Sequence, residues 1–476
     1  MPFSPLNDGP SGLKEKERLF RLFHQYNRPG PRYTSYPTAL KFAPVSIKEQ
    51  EEILADKAKA DANSPLSLYF HLPFCPSLCT FCGCHTIIDR KEESREEYLG
   101  LLEKEMRRYQ EKAPYPNREV IQIHFGGGSP SFLTPRQIRF LGKLIQKFFP
   151  VSPKVEYSVE IDPRQVTRQS IEAFRQIGVN RASIGVQDLD PEVQKAINRI
   201  QPQEVSEQCL TWLRECGITA INCDLIYGLP KQSKANFENT LDQVLAWKPD
   251  RLTIFGYAHV PWVKPAQKVF EKKNILLPPE ERMEILYDIH QRLPREGYRH
   301  LGLDHFAAPH DPLAKAWDEG TMHRNFQGYS TLAGAEIAAF GISAISQGTE
   351  YYLQNVKELS SYRQILETET FLPIERGYRL NREDLMRREI IMEIMCGRSI
   401  HQGAKVQKWG EAFGHLEKEA EPQLQEMEAD GLITMHGGQL APTRIGRFFL
   451  RNIALAFDQY SQNPQEGSPP AFSKTL

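Results

Sequence analysis

The 476-residue chain carries 59 Lys+Arg against 60 Asp+Glu, a formal net charge of −1. That balance removes any global electrostatic case for nucleic acid or an acidic membrane surface, so an anionic ligand must be held by a local basic site. The length suits a core of about 250 to 300 residues with a second domain. The opening MPFSPLNDGPSG has no apolar h-region, and no apolar run approaches the roughly 20 residues of a membrane span, so a cytoplasmic protein without a span is expected.

Short apolar or alternating runs predict strands at Leu66–Leu72, Val120–Phe125, Glu156–Ile161, Arg181–Val186, Ala220–Ile226, Leu252–Tyr257 and Tyr298–Leu303. Helical spacing predicts Ser94–Lys112, Pro135–Phe149, Gln169–Ile177, Pro202–Glu215, Asn236–Trp247 and Glu280–Leu293 between them, the first opening on a Ser94/Glu97 capping-box pair. Such a βαβ series implies a parallel sheet, open or closed into a barrel, in the α/β class. Beyond about residue 375 the pattern turns helical: Arg382–Cys396, the acidic Leu416–Asp430, a hairpin Leu432–Met435/Gln439–Ala441, and a helix Ile445–Asp458. Helix, hairpin and helix together look winged-helix-like. The acidic charge argues against DNA, since phosphate contacts need clustered Lys or Arg, and a cap over the active site is preferred. The Pro-, Ser- and Asn-rich tail 462–476 is expected to be mobile until it docks. Three units follow: a 1–60 extension packing on the active site, a 61–370 barrel and a 371–476 helical domain.

Cys75, Cys79 and Cys82 stand as Cys-x3-Cys-x2-Cys just after the first expected strand. Three thiolates at that spacing fit a 4Fe–4S cluster, whose complete thiolate ligation would need a fourth cysteine. A structural zinc site wants a second Cys or His pair, and Cys209, Cys216, Cys223 and Cys396 are scattered. Cys84 is either a fourth ligand or a near-site residue. Neighbours one residue apart rarely reach separate corners of one cube, so Cys84 is read as near-site, with no role assigned. With three ligands one iron stays open to chelate a small molecule. In this the segment resembles the radical S-adenosylmethionine (SAM) enzymes, whose unique iron holds the amino and carboxylate groups of SAM.

Other special residues also fall just after strands: Gly126-Gly127-Gly128, Glu160, Gln187, Asp224 and Ala258–His259. In parallel α/β architectures those loops converge on one face, so distant residues can share a site. Phe81 either lies against an adenine or packs its loop. The glycine run lets backbone approach a ligand closely, although alone it more often marks a turn. Glu160 and Asp224 can accept hydrogen bonds from ribose hydroxyls or serve as buried ion-pair partners. Arg199 is either a surface arginine or a fork for a carboxylate.

The full set resembles the oxygen-independent coproporphyrinogen III oxidases (coproporphyrinogen dehydrogenases) of the radical SAM superfamily, from about residue 20 to the C-terminus. The motifs are GPRYTSYPT (30–38), YFHLPFCPSLCTFCGC (69–84), FGGGSP (125–130), EIDP (160–163), GVQD (185–188), DLIYGLP (224–230), YAH (257–259), DHFA (304–307), HRNFQGY (323–329) and GISAIS (341–346). RYTSYPT and HRNFQGY set the chain apart from shorter haem-chaperone relatives. The resemblance implies a partial (β/α) barrel with a mainly helical C-terminal domain. It implies oxidative decarboxylation of two propionates of coproporphyrinogen III to vinyl groups, giving protoporphyrinogen IX through a 5′-deoxyadenosyl radical. It implies cluster ligation by Cys75, Cys79 and Cys82, and SAM contacts at Tyr69, Phe81, Gly127, Gly128, Ser129, Glu160, Gln187, Arg199, Asp224, Ala258 and Ile345, with room for two SAM molecules. An electron donor such as flavodoxin or ferredoxin and a monomeric chain are expected. The four carboxylates of the substrate call for cations, and Arg32, Arg299 and Arg324 are the candidates. Ser129 replaces the usual threonine and keeps the hydroxyl, whereas 330–339 (STLAGAEIAA) departs from a more polar stretch. Competing readings are a haem-binding chaperone on the same scaffold, a radical SAM enzyme acting on another tetrapyrrole, and an inactive winged-helix interaction protein.

Overall fold

A computed structural model describes residues 10–60, 64–112, 118–332, 334–461 and 472–475. Six strands, β1 (Leu66–Leu72), β2 (Val120–Gly127), β3 (Val151–Ile161), β4 (Arg181–Gln187), β5 (Ala220–Tyr227) and β6 (Arg251–Gly256), lie side by side in chain order, each parallel to the next. Crossover helices bury the outer face of such a sheet, and the other face lines the interior. Six of the seven β1 residues are accordingly buried, and Phe70, Phe125, Tyr157 and Ile184 join one core with Leu99, Leu141 and Phe174 of the helices. Side-chain caps start several of these helices: Thr134 with Gln137, and Ser233 with Asn236, form reciprocal capping boxes.

The first helix departs from expectation. It begins at Glu92, and Ser94 Oγ donates to Asp89 Oδ2 at 2.7 Å while Asp89 Oδ1 accepts the Lys91 N–H. An ionised carboxylate upstream is the stronger acceptor for a helix N-terminus, and it displaces the Ser94/Glu97 box. The seventh expected parallel strand is also corrected. Arg299–Gly302 runs antiparallel to His305–Ala307, which runs antiparallel to β6. Two intervening residues allow a hairpin and no parallel crossover.

At the opposite edge Glu336–Phe340 adds parallel to β1, followed by Ile345–Gln347, Tyr351–Asn355 and Ile374–Arg379 in antiparallel order, and finally Ala43–Pro44. Among the described residues the sheet has thirteen strands and runs past the boundary expected at 370. Glu105 locks this added edge to the barrel. Its carboxylate accepts from Gly341 N at 2.8 Å, Asn355 Nδ2 at 2.6 Å and Tyr362 Oη, and burial pushes its pKa up to about 7. An acid whose folded pKa is raised stabilises most below its unfolded pKa and loses that contribution as pH rises through the folded one. The thermal midpoint is therefore expected to fall between about pH 5 and pH 8, with a shallower slope in Glu105→Gln. Parallel melting curves across pH check this, and identical slopes would reject it.

A second core joins the N-terminal helix Pro10–Tyr26 to the C-terminal helices, with Leu22, Phe23, Ile390, Ile394, Leu424 and Phe449 in contact. The extension thus packs mainly on the C-terminal domain, and its 30–38 segment anchors it there: Tyr33 and Tyr36 are fully buried, and Tyr33 Oη donates to Asp458 at 2.8 Å. The winged-helix-like unit is present as Ile400–His401, Gln439–Pro442 and Ile433–His436 in one small sheet. The expected helix 445–458 is instead a 3-10 turn, Gly446–Phe449, leading into Leu450–Leu455. Gly446 sits so close to Leu432 O that a Cβ there would lie 1.7 Å away. Of the tail, 462–471 lies outside the described residues, while 472–475 is docked: Thr475 N donates to Arg28 O at 2.8 Å and Gly30 N to Ser473 O at 3.1 Å.

Candidate active site

The loop after β1 carries the cysteines. Its ends are held by a two-residue parallel ribbon, Phe74–Cys75 with Ile87–Ile88, and its middle by the segment after β4, where Thr80 N donates to Ile197 O and Asn198 Nδ2 to Leu78 O at 2.7 Å. Arg164 Nη2 and Arg199 Nη1 reach Cys79 Sγ at 3.5 and 3.7 Å. Both guanidiniums also pair with Asp162, at 2.7 and 3.3 Å, and Arg199 donates to Gly185 O at 2.8 Å. Burial alone would raise the Asp162 carboxyl, but Arg199 and Arg164 outweigh it and hold the group below the usual carboxylate range. Cys84 is exposed and lines the same wall as Cys82.

A cavity of about 470 Å³ opens beneath this loop at the C-terminal ends of the strands. Its walls carry Cys75, Cys79, Cys82 and Cys84, the Gly127–Ser129 turn after β2, Glu160 from β3, Gln187 from β4 and Asp224 from β5. Gly127 has φ of +110°, and a Cβ at Gly128 would sit 2.4 Å from Pro73 O. Only glycine lets these two chains touch. Glu160 accepts the Gly127 N–H at 3.2 Å and faces His124. Burial works against its ionisation, yet these donors keep the carboxyl below its usual range. Asp224 accepts from Ser183 Oγ at 2.7 Å and Asn222 Nδ2 at 2.8 Å, while burial lifts its pKa to about 6. Two acids of different proton affinity thus face one space.

The remaining expected residues are spread around this cavity. Tyr69 stacks on His124, a wall residue, with ring centroids 5.8 Å apart. Phe81 packs against Val193, Ile226 and Tyr257. Gln267 Nε2 donates to both Phe81 O and Ala258 O, which places Ala258 beside Phe81, on the wall of a second cavity. Ile345 sits in the added sheet edge, packed near Phe42 and Tyr352. The three arginines proposed from sequence separate. Arg32 pairs with Asp304 and lines the second cavity. Arg324 is buried, donates to Tyr33 O and Arg32 O at 3.1 Å each, and anchors the N-terminal segment. Arg299 pairs with Asp318 beside a different, outer depression. Sequence reasoning missed Asp162 and Arg164, which stand in the 160–164 segment with strand-end spacing, and Gln327 and Tyr329, which enter the wall from the 323–330 hairpin. Of the atypical 330–339 stretch, Ser330 lines the cavity, but Glu336 forms a buried 2.7 Å ion pair with Arg118 and begins the added strand.

Residues 69–244 match the Radical SAM superfamily and residues 380–449 the HemN C-terminal domain. The chain is 41% identical over 460 residues to the oxygen-independent coproporphyrinogen III oxidase of Helicobacter pylori (strain J99), covering 96% of this chain and 99% of the relative. It is 39% identical over 456 residues to the Escherichia coli (strain K12) protein of that name, covering 96% and 98%. The chain belongs to the oxygen-independent coproporphyrinogen III oxidase family. The solved structure of coproporphyrinogen III oxidase (HemN) from Escherichia coli, described as a radical SAM enzyme, superposes with a TM-score of 0.85 at 39% identity, over 90% of this chain and 97% of that one.

The cysteine loop of this oxidase-family chain fits a cluster better than a single ion. Among the described residues no three His, Cys, Asp or Glu side chains converge as one metal ion requires, while Cys75, Cys79 and Cys82, with Cys84 beside them, line one cavity. That wider arrangement suits a four-iron cube. The positive Arg164 and Arg199 at Cys79 favour thiolate ligands.

Proposed function

We propose that this chain catalyses the anaerobic oxidative decarboxylation of two propionates of coproporphyrinogen III to vinyl groups, giving protoporphyrinogen IX. The observation that carries the reading is the convergence of Cys75, Cys79 and Cys82 with Gly127, Gly128, Glu160 and Asp224 on one cavity. In this reading the three cysteines hold a 4Fe–4S cluster, and Phe81, Gly127, Gly128, Ser129, Glu160, Gln187, Arg199 and Asp224 contact SAM, with Tyr69, Ala258 and Ile345 at its margins. When bound, cluster and SAM supply the radical that removes a hydrogen from the propionate carbon next to the ring, before CO2 and one electron leave.

The protein positions the reactants and excludes quenchers. The Gly127–Gly128 backbone approaches the amino acid moiety, Glu160 and Asp224 accept from ribose hydroxyls, and the Arg164–Asp162–Arg199 group keeps positive charge against Cys79. Leu78 in the cysteine loop is 41% exposed, which leaves the loop open to a redox partner such as flavodoxin or ferredoxin. All eight cysteines are free thiols, in keeping with a reducing cytoplasm, and no described helix is long and apolar enough to cross a membrane. The domain reading is a barrel whose sheet runs on through Ile374–Arg379, under a mainly helical C-terminal cap.

The deciding experiment incubates the iron- and sulfide-reconstituted protein anaerobically with SAM, a strong reductant and coproporphyrinogen III, with products quantified by mass spectrometry. Protoporphyrinogen with about two methionines per product is expected, one for each hydrogen abstracted. SAM cleavage without decarboxylation would point to another tetrapyrrole. Gly128→Ala is expected to weaken SAM binding at least about ten-fold, because its Cβ meets rigid backbone and overpacking costs at least the equivalent free energy. Titration calorimetry of the cluster-loaded variant checks this, and wild-type affinity would reject close backbone approach.

A further inference from the structure

A second cavity of about 400 Å³ lies between the strand ends and the C-terminal domain. Phe255 lines the first cavity, and Arg32, 5.5 Å over its ring, lines the second, so the two are neighbours. The helix Pro279–Arg295 presents Arg282, Leu286 and His290 to it at i, i+4 and i+8, and the C-terminal domain presents Arg447, Phe448 and Arg451. The docked tail, through Phe472 and Thr475, closes one side.

The charge of this wall is unbalanced. It carries Arg32, Arg282, Arg447 and Arg451, with Lys474 at the mouth, and among the described residues Asp304 is its one acid, already paired with Arg32. Arg451 is structural: it donates to Gly30 O, Pro31 O, Lys474 O and Thr475 O, and so holds the N- and C-terminal segments together. Arg447 and Arg282 are not used in that way. Arg447 lies 4.7 Å over the Trp317 ring, so it stands between this cavity and the outer depression that holds Asp318 and Glu393, and burial pushes its pKa down. Arg282 gives one N–H to Tyr257 O at 3.0 Å, leaving further donors of its guanidinium fork. Gly228, at φ +81°, makes room for it, since a Cβ there would lie 2.7 Å from Arg282 Nε. Half-buried like charges gathered around one acid cost free energy that an anionic ligand returns.

Resting on the function proposed above, we propose that this second cavity is a carboxylate subsite: Arg282 and Arg447 hold a propionate of the tetrapyrrole remote from the one reacting in the first cavity. The apolar Leu286, Tyr257 and Phe448 between the cations suit the attached pyrrole edge. SAM is a poor occupant, because its ammonium and sulfonium outweigh its single carboxylate and the cationic wall repels it. Anchoring at a distance would present one edge of the macrocycle to the cysteine side while the other is held.

The test is fluorescence titration of the cluster-loaded full-length protein with coproporphyrin III, the stable tetracarboxylate, for the wild type, Arg282→Gln, Arg447→Gln and the two lysine variants. Each glutamine variant is expected to bind about ten-fold more weakly, the size of one charge-assisted hydrogen bond. Lysine should restore part of the affinity, and cluster absorbance per chain should stay unchanged. Protoporphyrin IX, with two carboxylates, should lose less. Wild-type affinity in both glutamine variants, no porphyrin binding by the wild type, or a loss confined to SAM binding would each overturn the subsite. Turnover of coproporphyrinogen III by the wild type, measured separately, reports on the function itself: binding with the expected variant losses but no turnover would keep the subsite and reject the reaction.

Discussion

Cys79→Ser is expected to abolish the absorbance of the reconstituted cluster and all reductive cleavage of SAM. Cys79 is the most buried of the three loop thiols, and two guanidiniums converge on its sulfur from Arg164 and Arg199. That cationic pair favours a thiolate, which is the form that binds iron. A serine hydroxyl keeps its proton near neutral pH and is a poor iron ligand, and two remaining cysteines do not hold a cube. Cys84→Ser provides the contrast. Cys84 is exposed and separated from Cys82 by a single residue, too close to reach a separate corner of the cube, so its serine variant is expected to retain the cluster. Iron analysis and visible spectra of the two variants decide the ligand set, and complete loss of iron from the Cys84 variant would falsify it.

Arg199→Met is expected to cost about 3 kcal/mol of stability, the usual consequence of removing one partner from a buried ion pair, and to weaken SAM binding as well. The side chain is buried and ties three elements: Asp162 after β3, Gly185 O in β4 and Cys79 in the cysteine loop. Arg164 still faces Asp162 in the variant, which keeps the loss from being larger. Arg199→Lys restores the charge but lacks the planar fork that reaches a carbonyl, a carboxylate and a sulfur together, and should recover only part of both properties. Denaturant melts and SAM titrations of the two variants measure this. Full recovery by lysine would show that charge alone matters.

The sheet was legible where its residues obey a local rule. The six parallel strands have apolar or alternating runs, which leave a local signal, and several of their helices have capping residues at the right spacing. The sheet edge from Glu336 to Arg379 escaped because its strands are three to six residues long and its first is alanine-rich, so that pairing with β1, not composition, makes it a strand. The same holds for Arg299–Gly302, whose apolar character was read and whose direction was not. Among charged residues, Arg299 and Arg324 looked alike in sequence. Only packing distinguishes an outer ion pair from a buried anchor of the N-terminal segment.

By itself the sequence determined the cysteine triplet, the glycine turn and the strand-end acids, because covalent spacing fixes which groups emerge together from a strand. It also determined the family resemblance, since whole motifs travel with those positions. Tertiary structure alone decided which cations are committed and which face an empty charge balance. Arg164, Arg199, Arg324 and Arg451 hold carboxylates or carbonyls from segments as many as 421 residues away, whereas Arg282 faces a cavity with one acid and Arg447 stands between it and the outer depression. An arginine's role depends on the charges within a few ångströms of it, and those neighbours are set by the fold and not by the order of the chain.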